Sequence, residues 1–179
     1  MFTADLRIET ERLILRPPVQ DDFEAYATNM ADHEASHFIG GPQAREVAWR
    51  GFLSLAGAWM IQGFSMFSVI EKASGRWIGR LGPWYPEGWP GTEVGWGLVR
   101  EAWGKGYAYE GSVAAIDWAF DQLGWSEVIH SINAENHSSQ MLARRLGSQL
   151  RGPATLPPPY ENITVDVWAQ TREQWKQRK

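Results

Sequence analysis

The spacing of apolar residues predicts a succession of strands and helices. Residues 12–16 alternate around Leu13 and Leu15, which is the two-residue period of a strand. After residue 106, apolar residues recur at intervals of four and three, which predicts a long helix that ends at Gly124. These residues are Tyr109, Val113, Ile116, Phe120 and Leu123.

The same patterns predict the other elements. Further helices are predicted at residues 19–31, 43–61 and 136–146, and further strands at residues 64–70, 77–81, 93–99, 127–132 and 163–169. The early strands follow one another, and the later ones alternate with helices. This order predicts an α+β fold with a mixed, largely antiparallel sheet of six to seven strands and helices on both faces. Without an internal repeat or linker, we expect a single domain over residues 1–179.

Composition narrows the classes of function. The 179 residues carry a formal net charge of −4, so the protein has no bulk attraction for nucleic acid or an anionic membrane. There is no cysteine, which excludes disulfides and cysteine nucleophiles. The N-terminal segment lacks the pattern of a secretory signal, and the longest apolar run, residues 55–61, is too short to span a bilayer. We therefore expect a cytoplasmic protein that binds neither nucleic acid nor a membrane.

The chain contains 11 tryptophans, and two of them lie in a segment rich in proline and glycine, residues 83–91. Aromatic side chains on a loop often line a ligand cleft or a subunit interface. Trp84, Tyr85 and Trp89 are therefore candidate substrate-binding residues. A loop folded over its own aromatic cluster explains the segment equally well.

A strand, a tight glycine turn and a helix follow one another at residues 93–110. Gly104 and Gly106 let the backbone approach a ligand, and the free amides at a helix start attract phosphate. The spacing is neither that of a Walker loop nor that of a Rossmann loop, because Lys105 lies between the glycines and no Ser or Thr follows it. Taken alone, the turn is also compatible with an ordinary helix start.

Three stretches resemble the GNAT superfamily of N-acetyltransferases, in particular its RimJ/RimL-like branch. Residues 103–108, WGKGYA, match the family's pyrophosphate loop Q/R-x-x-G-x-G/A except at the first position, where Trp is typical of this branch. Residues 136–147 match the pattern N-x-x-S-x-x-L-x-x-K/R-x-G, and residues 10–16, TERLILR, match the opening strand T-x-R-L-x-L-R. The resemblance runs from about Arg12 to Ala169 and implies the GNAT fold.

The resemblance also implies where acetyl-CoA binds. The strand ending at Val99 and the strand near Ile132 would splay apart, and the pantetheine arm would pair with the backbone of residues 96–98 in the gap. The pyrophosphate would lie on the amides of residues 104–109, and the N–H of Leu98 would polarise the thioester carbonyl. The residues assigned to acetyl-CoA are Trp96, Gly97, Leu98, Val99, Gly104, Lys105, Gly106, Tyr107, Ala108, Tyr109, Asn136 and Ser139.

Acetyl transfer to an amine needs a base and is helped by an acid. Many relatives have a catalytic Glu five residues before the matched Asn136 and a Tyr acid seven residues after it. These positions are Ser131 and Ala143 here, so both of those groups are absent.

Glu93 is the candidate base. Strand alternation places it on one face with Gly95 and Gly97, which leaves open space beside the carboxylate. A solvated Glu at the start of a strand is the alternative explanation. His130 is a rival base because of its near-neutral ordinary pKa. Ser139 is the candidate acid, although water could protonate the leaving thiolate instead.

Residues 33–37, HEASH, match the zinc-hydrolase motif H-E-x-x-H. A zinc site needs a third protein ligand, and Gln43 stands where the extended motif has its third His. RimJ/RimL-like members often read A-D-P-E-x-x-x-F-I-G-G-P here, and residues 31–42 resemble that pattern. Since this segment borders the acceptor cleft in relatives, Phe38 is a candidate substrate-binding residue and no metal is expected.

The leading hypothesis is an acetyl-CoA-dependent N-acetyltransferase. A primary amine would attack directly in a ternary complex, because no cysteine is present to form an acetyl-enzyme. RimJ/RimL-like relatives acetylate protein N-termini and other members acetylate small amines, while the aromatic segment favours an apolar or cationic acceptor. The alternatives are a non-catalytic acyl-CoA-binding module and, behind it, a zinc hydrolase. Many members of the family are dimers, so the resemblance is compatible with a homodimer.

Overall fold

A computed structural model describes residues 5–178, so the ends of the predicted domain, residues 1–4 and Lys179, lie outside the described residues. The strands are β1 (Ile8–Glu9), β2 (Leu13–Arg16), β3 (Phe67–Glu71), β4 (Trp77–Trp84), β5 (Glu93–Leu98), β6 (Glu127–Asn133), β7 (Gln149–Thr155) and β8 (Thr164–Thr171). The helices are α1 (Phe23–Ala31), α2 (His33–Ser36), α3 (Arg45–Gln62), α4 (Tyr107–Gln122), α5 (His137–Arg145) and α6 (Arg172–Gln177).

The strands form one sheet in the order β1-β2-β3-β4-β5-β6-β8-β7. Neighbouring strands are antiparallel except for the parallel pair β5 and β6. The predicted mixed, largely antiparallel sheet is therefore confirmed. Across residues 5–178, no helix combines the length and the apolarity that crossing a membrane requires.

Helices cover both faces of the sheet. Leu13 and Leu15 of β2 pack in one core cluster with residues of α4, whereas Ile14 between them packs against the cluster of α1 and α3. Because side chains alternate across a strand, the two clusters lie on opposite faces. The helices predicted on both faces are therefore confirmed.

The described chain has eight strands where the apolar pattern predicts six or seven. The pattern misses β7 because this strand lies at an edge of the sheet, pairs with β8 alone and exposes most of its side chains. It misses β1 because that strand has two residues. The short helix α6 depends on a capping box between Thr171 and Gln174, which apolar spacing does not report.

β4 is longer than predicted and ends at Trp84 rather than Leu81. Trp84 is therefore a strand residue, and its prediction as a loop residue is wrong. Pairing between β3 and β4 ends at Leu81, so beyond it β4 is paired with β5 only. A proline is tolerated on such an open side, which explains why Pro83 lies within the strand.

β5 and β6 separate close to their start. They share one paired position, Glu93 with Ile129, and the N–H of Ile129 donates to the carbonyl of Thr92 at 2.9 Å. Beyond this point, residues 94–98 have no paired strand on that side, whereas β6 continues to pair with β8 as far as Asn133. The splay predicted between these two strands is confirmed.

Candidate active site

A cavity of about 300 Å³ opens where β5 and β6 separate. It extends from the gap between the strands to the face of the sheet that carries α1 and α3. Most of the residues predicted for catalysis or substrate binding lie on its wall, namely Glu93, Ser139, Trp84, Trp89 and Phe38. Trp96 and Asn136, predicted to bind acetyl-CoA, line it as well. Tyr85 lies outside the cavity, with 44% of its surface exposed.

The sequence pattern does not identify three further wall residues, Arg80, Met66 and Tyr160. Arg80 lies in a strand whose other side chains are mostly buried, and a cation in such a strand is a signal that could identify it. Tyr160 lies in the proline-rich connection between β7 and β8, where no periodic pattern exists.

Glu93 is buried, with 7% of its surface exposed, although it begins a strand. The alternative of a solvated strand-start Glu is therefore wrong. Burial raises the pKa of Glu93 from 4.5 to about 7, while Trp89, Ser131 and the charge of Arg80 act in the opposite direction. A carboxyl group with such a pKa exchanges its proton readily near neutral pH, as a general base must.

The Glu93 carboxylate is held on two sides. Trp89 Nε1 donates a hydrogen bond to Oε2 at 2.6 Å. On the other side, a Cβ at Gly95 would lie 3.1 Å from Glu93 Oε1 and 2.7 Å from Met66 Cε. The glycine two residues along the strand therefore provides the space that the carboxylate occupies.

The side chain of His130, the rival base, links β6 to β5 by a hydrogen bond where the two strands separate. Its Nδ1 lies 2.7 Å from the carbonyl oxygen of Val94 and must donate, because a carbonyl only accepts. Its Nε2 lies 3.1 Å from the hydroxyl of Ser148, which in turn accepts from Gln170 at 2.9 Å. Burial lowers the pKa of His130 to about 4. A histidine in this state is a poor base at neutral pH.

The start of α5 faces the gap from the opposite side. Asn136 caps this helix, since its Oδ1 accepts from the N–H of Ser139 at 3.1 Å and from the hydroxyl of Ser138 at 3.0 Å. Trp96 Nε1 donates to Ser139 Oγ at 3.1 Å, so the indole bridges β5 and α5. The hydroxyl hydrogen of Ser139 is left available as a donor.

The backbone edge of β5 is open toward the gap. The carbonyl of Val94 faces β6, because it accepts from His130. Successive residues of a strand present their backbone groups to alternate sides, so the N–H and C=O groups of Trp96 and Leu98 face the gap as well. The carbonyl of Leu98 accepts from Trp103 Nε1 at 2.9 Å, but no strand pairs with this edge. An extended ligand could pair with the edge as an added strand does.

The glycine turn leads into α4 without a side-chain cap. Gly104 and Gly106 have φ angles of 71° and 80°, which glycine adopts most readily. No heavy atom lies within 4 Å of a Cβ placed at Gly104, so side chains do not fill the turn. The first-turn amides of α4, including that of Ala108, lack intrahelical acceptors, and Lys105 is exposed beside them. The turn can therefore accept an anion such as a diphosphate.

Arg12 ties the turn to the sheet. Its Nη1 donates to the carbonyl of Lys105 at 2.9 Å, and its guanidinium stacks 4.6 Å from the centre of the Tyr107 ring. Its Nε donates to Glu110 Oε2 at 2.6 Å, and the N–H of Arg12 and the hydroxyl of Thr10 donate to Oε1 at 2.8 and 2.5 Å. Residues of the opening strand motif therefore contact both the glycine turn and the first turn of α4.

The side chains of the two first-turn tyrosines have other partners. Tyr107 donates to Glu71 Oε1 at 2.6 Å. The Tyr109 ring lies 4.0 Å beneath the guanidinium of Arg145, and its hydroxyl accepts from Arg178 Nη1 at 2.8 Å. Contacts of these tyrosines with a phosphate ligand would therefore come from their backbone amides.

The HEASH segment offers two exposed histidines, His33 and His37, at the one-turn helix α2. Glu34 forms an ion pair with Arg100 at 3.5 Å, and Arg100 also pairs with Asp32 at 2.7 Å. Among the described residues, no group of three His, Cys, Asp or Glu could hold a metal ion. The zinc motif therefore has no third ligand in this part of the chain.

Comparisons with known proteins agree with the fold. The chain matches the acetyltransferase (GNAT) domain family over residues 12–149. It is 28% identical over 146 residues to the uncharacterised N-acetyltransferase p20 of Bacillus licheniformis, across 80% of this chain and 82% of that protein. The crystal structure of an acetyltransferase from Agrobacterium tumefaciens is 30% identical, with a TM-score of 0.83 across 96% of this chain and 98% of the other.

A more distant structure shares the fold. The ribosomal-protein-S5-alanine acetyltransferase of Vibrio fischeri is 20% identical, with a TM-score of 0.73 across 96% of this chain and 99% of the other. The family match covers well over half of the chain, and the splayed strands and the glycine turn lie within it. The chain therefore belongs to the GNAT acetyltransferase family and is an acyltransferase.

Proposed function

We propose that the chain transfers the acetyl group of acetyl-CoA to a primary amine by direct attack in a ternary complex. The position of Glu93 carries this proposal, because the carboxyl group is buried, has a pKa of about 7 and lies in the cavity where β5 and β6 separate. A carboxylate so placed can accept the proton of an attacking amine. A module that only binds acyl-CoA would have no use for such a group.

The open features of the site suit acetyl-CoA, which is the acyl donor of the GNAT family and supplies an activated acyl group with a readily departing thiolate. The free backbone edge of residues 96–98 would pair with the pantetheine arm, with Gly97 and Val99 beside it. The amides of residues 104–109 would hold the pyrophosphate. Asn136 Nδ2, which makes no hydrogen bond within the described chain, would donate to the pantetheine.

The proton transfers can be assigned to residues of the chain. Glu93 takes a proton from the amine nitrogen as the N–C bond forms and the C–S bond breaks. The N–H of Leu98, which faces the gap, would donate to the developing oxyanion. The departing sulfur takes its proton from the hydroxyl of Ser139, which Trp96 holds in place, or from water. Glu93 then returns its proton to solvent, and Ser139, where it was the donor, regains a proton from solvent.

The acceptor in this proposal is a protein N-terminus or a small-molecule amine. The motifs at residues 10–16 and 103–108 support a place in the RimJ/RimL-like branch, and the fold shared with the Vibrio fischeri ribosomal-protein acetyltransferase supports an N-terminal substrate. Trp84, Trp89 and Phe38 would provide an aromatic wall for either class. The proposal includes a single domain over residues 1–179 and a cytoplasmic location, and it is compatible with a homodimer.

An acceptor screen tests the proposal. Free CoA is followed with a thiol reagent, which the protein itself does not consume because it has no cysteine. We expect Glu93→Gln to lower kcat at least about 100-fold without changing acetyl-CoA affinity measured by calorimetry. Glu87→Gln, at an exposed position in the preceding loop, is the control.

The outcomes separate the two leading hypotheses. Unchanged turnover in the Glu93→Gln variant would remove Glu93 from the mechanism. Tight acetyl-CoA binding without release of CoA in the presence of any amine would favour the non-catalytic binding module instead.

A further inference from the structure

Arg80 is a half-buried cation that forms no ion pair with an acidic side chain of the described residues. It lies on β4 and lines the same cavity as Glu93. It belongs to none of the ion pairs in this part of the chain. Its Nε is buried without a hydrogen-bond partner, and its Nη1 contacts Met66 Sδ, a weak acceptor, at 2.7 Å. Most of its donor capacity is therefore unused.

Three of the other four partly buried arginines in the described chain, Arg12, Arg16 and Arg172, have carboxylate partners, and the fourth, Arg178, packs on the ring of Trp175. Arg16 makes two hydrogen bonds of 2.7 Å to Asp22, and Arg12 pairs with Glu110. Removing a guanidinium from water without an anion is unfavourable, so Arg80 departs from this pattern at a cost in stability. A ligand that carries an anion into the cavity would satisfy the free donors.

Arg80 and Glu93 project from the same face of the sheet, with glycines between them. The register pairs Arg80 with Gly97, Gly82 with Gly95 and Trp84 with Glu93. Directly opposite residues share a face, so the floor between the cation and the acid carries no side chain of its own.

One flexible side chain, that of Met66, lies between the two charged groups. Its Sδ contacts Arg80 Nη1, and its Cε lies over Gly95, where Glu93 Oε1 also lies. A methionine adapts its shape easily, so a ligand can move it aside. Met66 therefore contacts the cation through its sulfur and shares the space over Gly95 with the acid.

We propose that the acetyl acceptor is a free amino acid or a similar small amine that carries a carboxylate. Arg80 binds the carboxylate, and Glu93 faces the amine. This inference rests on the proposed function and names its substrate class. An ammonium alone would bring a second positive charge next to Arg80, whereas an amino acid brings its own anion. Both groups line the same cavity, which fits an amine and a carboxylate on one small molecule.

A comparison of amino acids with their own amides tests this assignment, because an amide keeps the amine and the side chain but lacks the carboxylate. CoA release is measured for the twenty common amino acids and for their amides. We expect at least one acid to exceed its amide at least about tenfold in kcat/KM, since a hydrogen-bonded charge pair contributes that much. Binding of the same acids and amides to the CoA-loaded protein is measured by calorimetry.

Variants of Arg80 give the second readout. Arg80→Gln is expected to raise the KM for the acid at least about tenfold and to leave the KM for the amide unchanged, and Arg80→Lys is expected to retain part of the preference. Because Arg80 also lowers the pKa of Glu93, the variants are compared at a pH above that pKa, where Glu93 is ionised in each of them. Arg76→Gln, which removes an exposed cation just before the same strand, is the matched control and should keep the full preference. Thermal unfolding checks that each variant is folded. If Arg80→Gln does not fold, the preference for acids over amides is measured in Arg80→Lys instead.

The outcomes distinguish this inference from the proposed function. Equal use of acids and amides, or an equal loss of both in the Arg80 variants, would overturn the carboxylate site and leave the acetyltransferase standing. Arg80-dependent binding of an amino acid without any acetylation would support the site and contradict the proposed function. Absence of both binding and turnover with every amino acid would overturn the carboxylate site, and the acceptor screen with other amines would then decide the proposed function by itself.

Discussion

The indole nitrogen of Trp89 donates a 2.6 Å hydrogen bond to Oε2 of Glu93. This bond stabilises the ionised carboxylate, whereas burial favours the neutral acid and raises the pKa to about 7. The loop that precedes β5 therefore helps to set the proton affinity of the proposed base.

Replacing Trp89 by phenylalanine should raise the pKa of Glu93 further. The variant keeps an aromatic ring but loses the N–H donor, and a hydrogen bond to a charged group corresponds to about one pKa unit or more. Because the base must be ionised to act, kcat/KM should rise with pH through a pKa of about 7 in the unmodified protein and at higher pH in the variant. Trp49→Phe, on the outer side of α3, is the control. An unshifted profile would show that Trp89 does not tune the base.

Replacing Glu93 by glutamine should stabilise the protein above neutral pH. The pKa of Glu93 is 4.5 in the unfolded chain and about 7 in the folded one, so the folded state holds the proton more tightly. The free energy of unfolding therefore falls as pH rises from 4.5 to 7, by about 3 kcal/mol in total. Glutamine does not ionise and avoids this loss.

Urea unfolding of both proteins across this pH range measures the effect. The stability difference between Glu93→Gln and the unmodified protein should grow with pH up to 7 and then stay level. A difference that does not depend on pH would mean that the carboxyl group ionises at an ordinary pKa.

His130 should produce the opposite slope in acid. Its pKa is about 4 in the folded protein against 6.5 in the unfolded chain, so the unfolded state binds the proton first. Stability from this residue is fully present above pH 6.5 and falls as the pH drops toward 4, by about 3 kcal/mol. In His130→Gln this loss should disappear, while the rise of kcat/KM near neutral pH should remain. Loss of that rise in the variant would instead identify His130 as the base.

The candidate base could be located from the sequence, because strand alternation and two following glycines place Glu93 beside open space. Its burial could not be predicted. The raised pKa comes from that burial, and the two groups that oppose it, Trp89 in a loop and Ser131 in another strand, are not part of the pattern of β5. Alternation within one strand indicates a face but not what covers that face.

The isolation of Arg80 also depends on tertiary structure. The sequence contains enough acidic residues to pair with every arginine, and only the folded structure shows that Arg80 contacts Met66 and forms no ion pair with a described residue. For the same reason the glycine turn could be predicted from its spacing, whereas its attachment to Arg12 could not. That attachment joins residues 93 positions apart.

Replacing Arg12 by glutamine should weaken acetyl-CoA binding without altering the chemistry. The guanidinium holds the carbonyl of Lys105 and the carboxylate of Glu110, so its loss lets the turn at residues 104–106 move away from the sheet. A less ordered turn aligns its amides on the pyrophosphate less often, and the KM for acetyl-CoA should rise about tenfold.

Because Arg12 lies away from the acceptor cavity, the kinetic constants for the amine serve as an internal control for Arg12→Gln. The kcat and the KM for the amine should stay close to those of the unmodified protein, because Arg12 does not line the acceptor cavity. Arg7→Gln removes another arginine near the start of the chain, one that pairs with Glu9 alone among residues 5–178, and should leave all three constants unchanged. A fall in kcat with an unaltered KM for acetyl-CoA would contradict the role of Arg12, because the turn would then be in place without it.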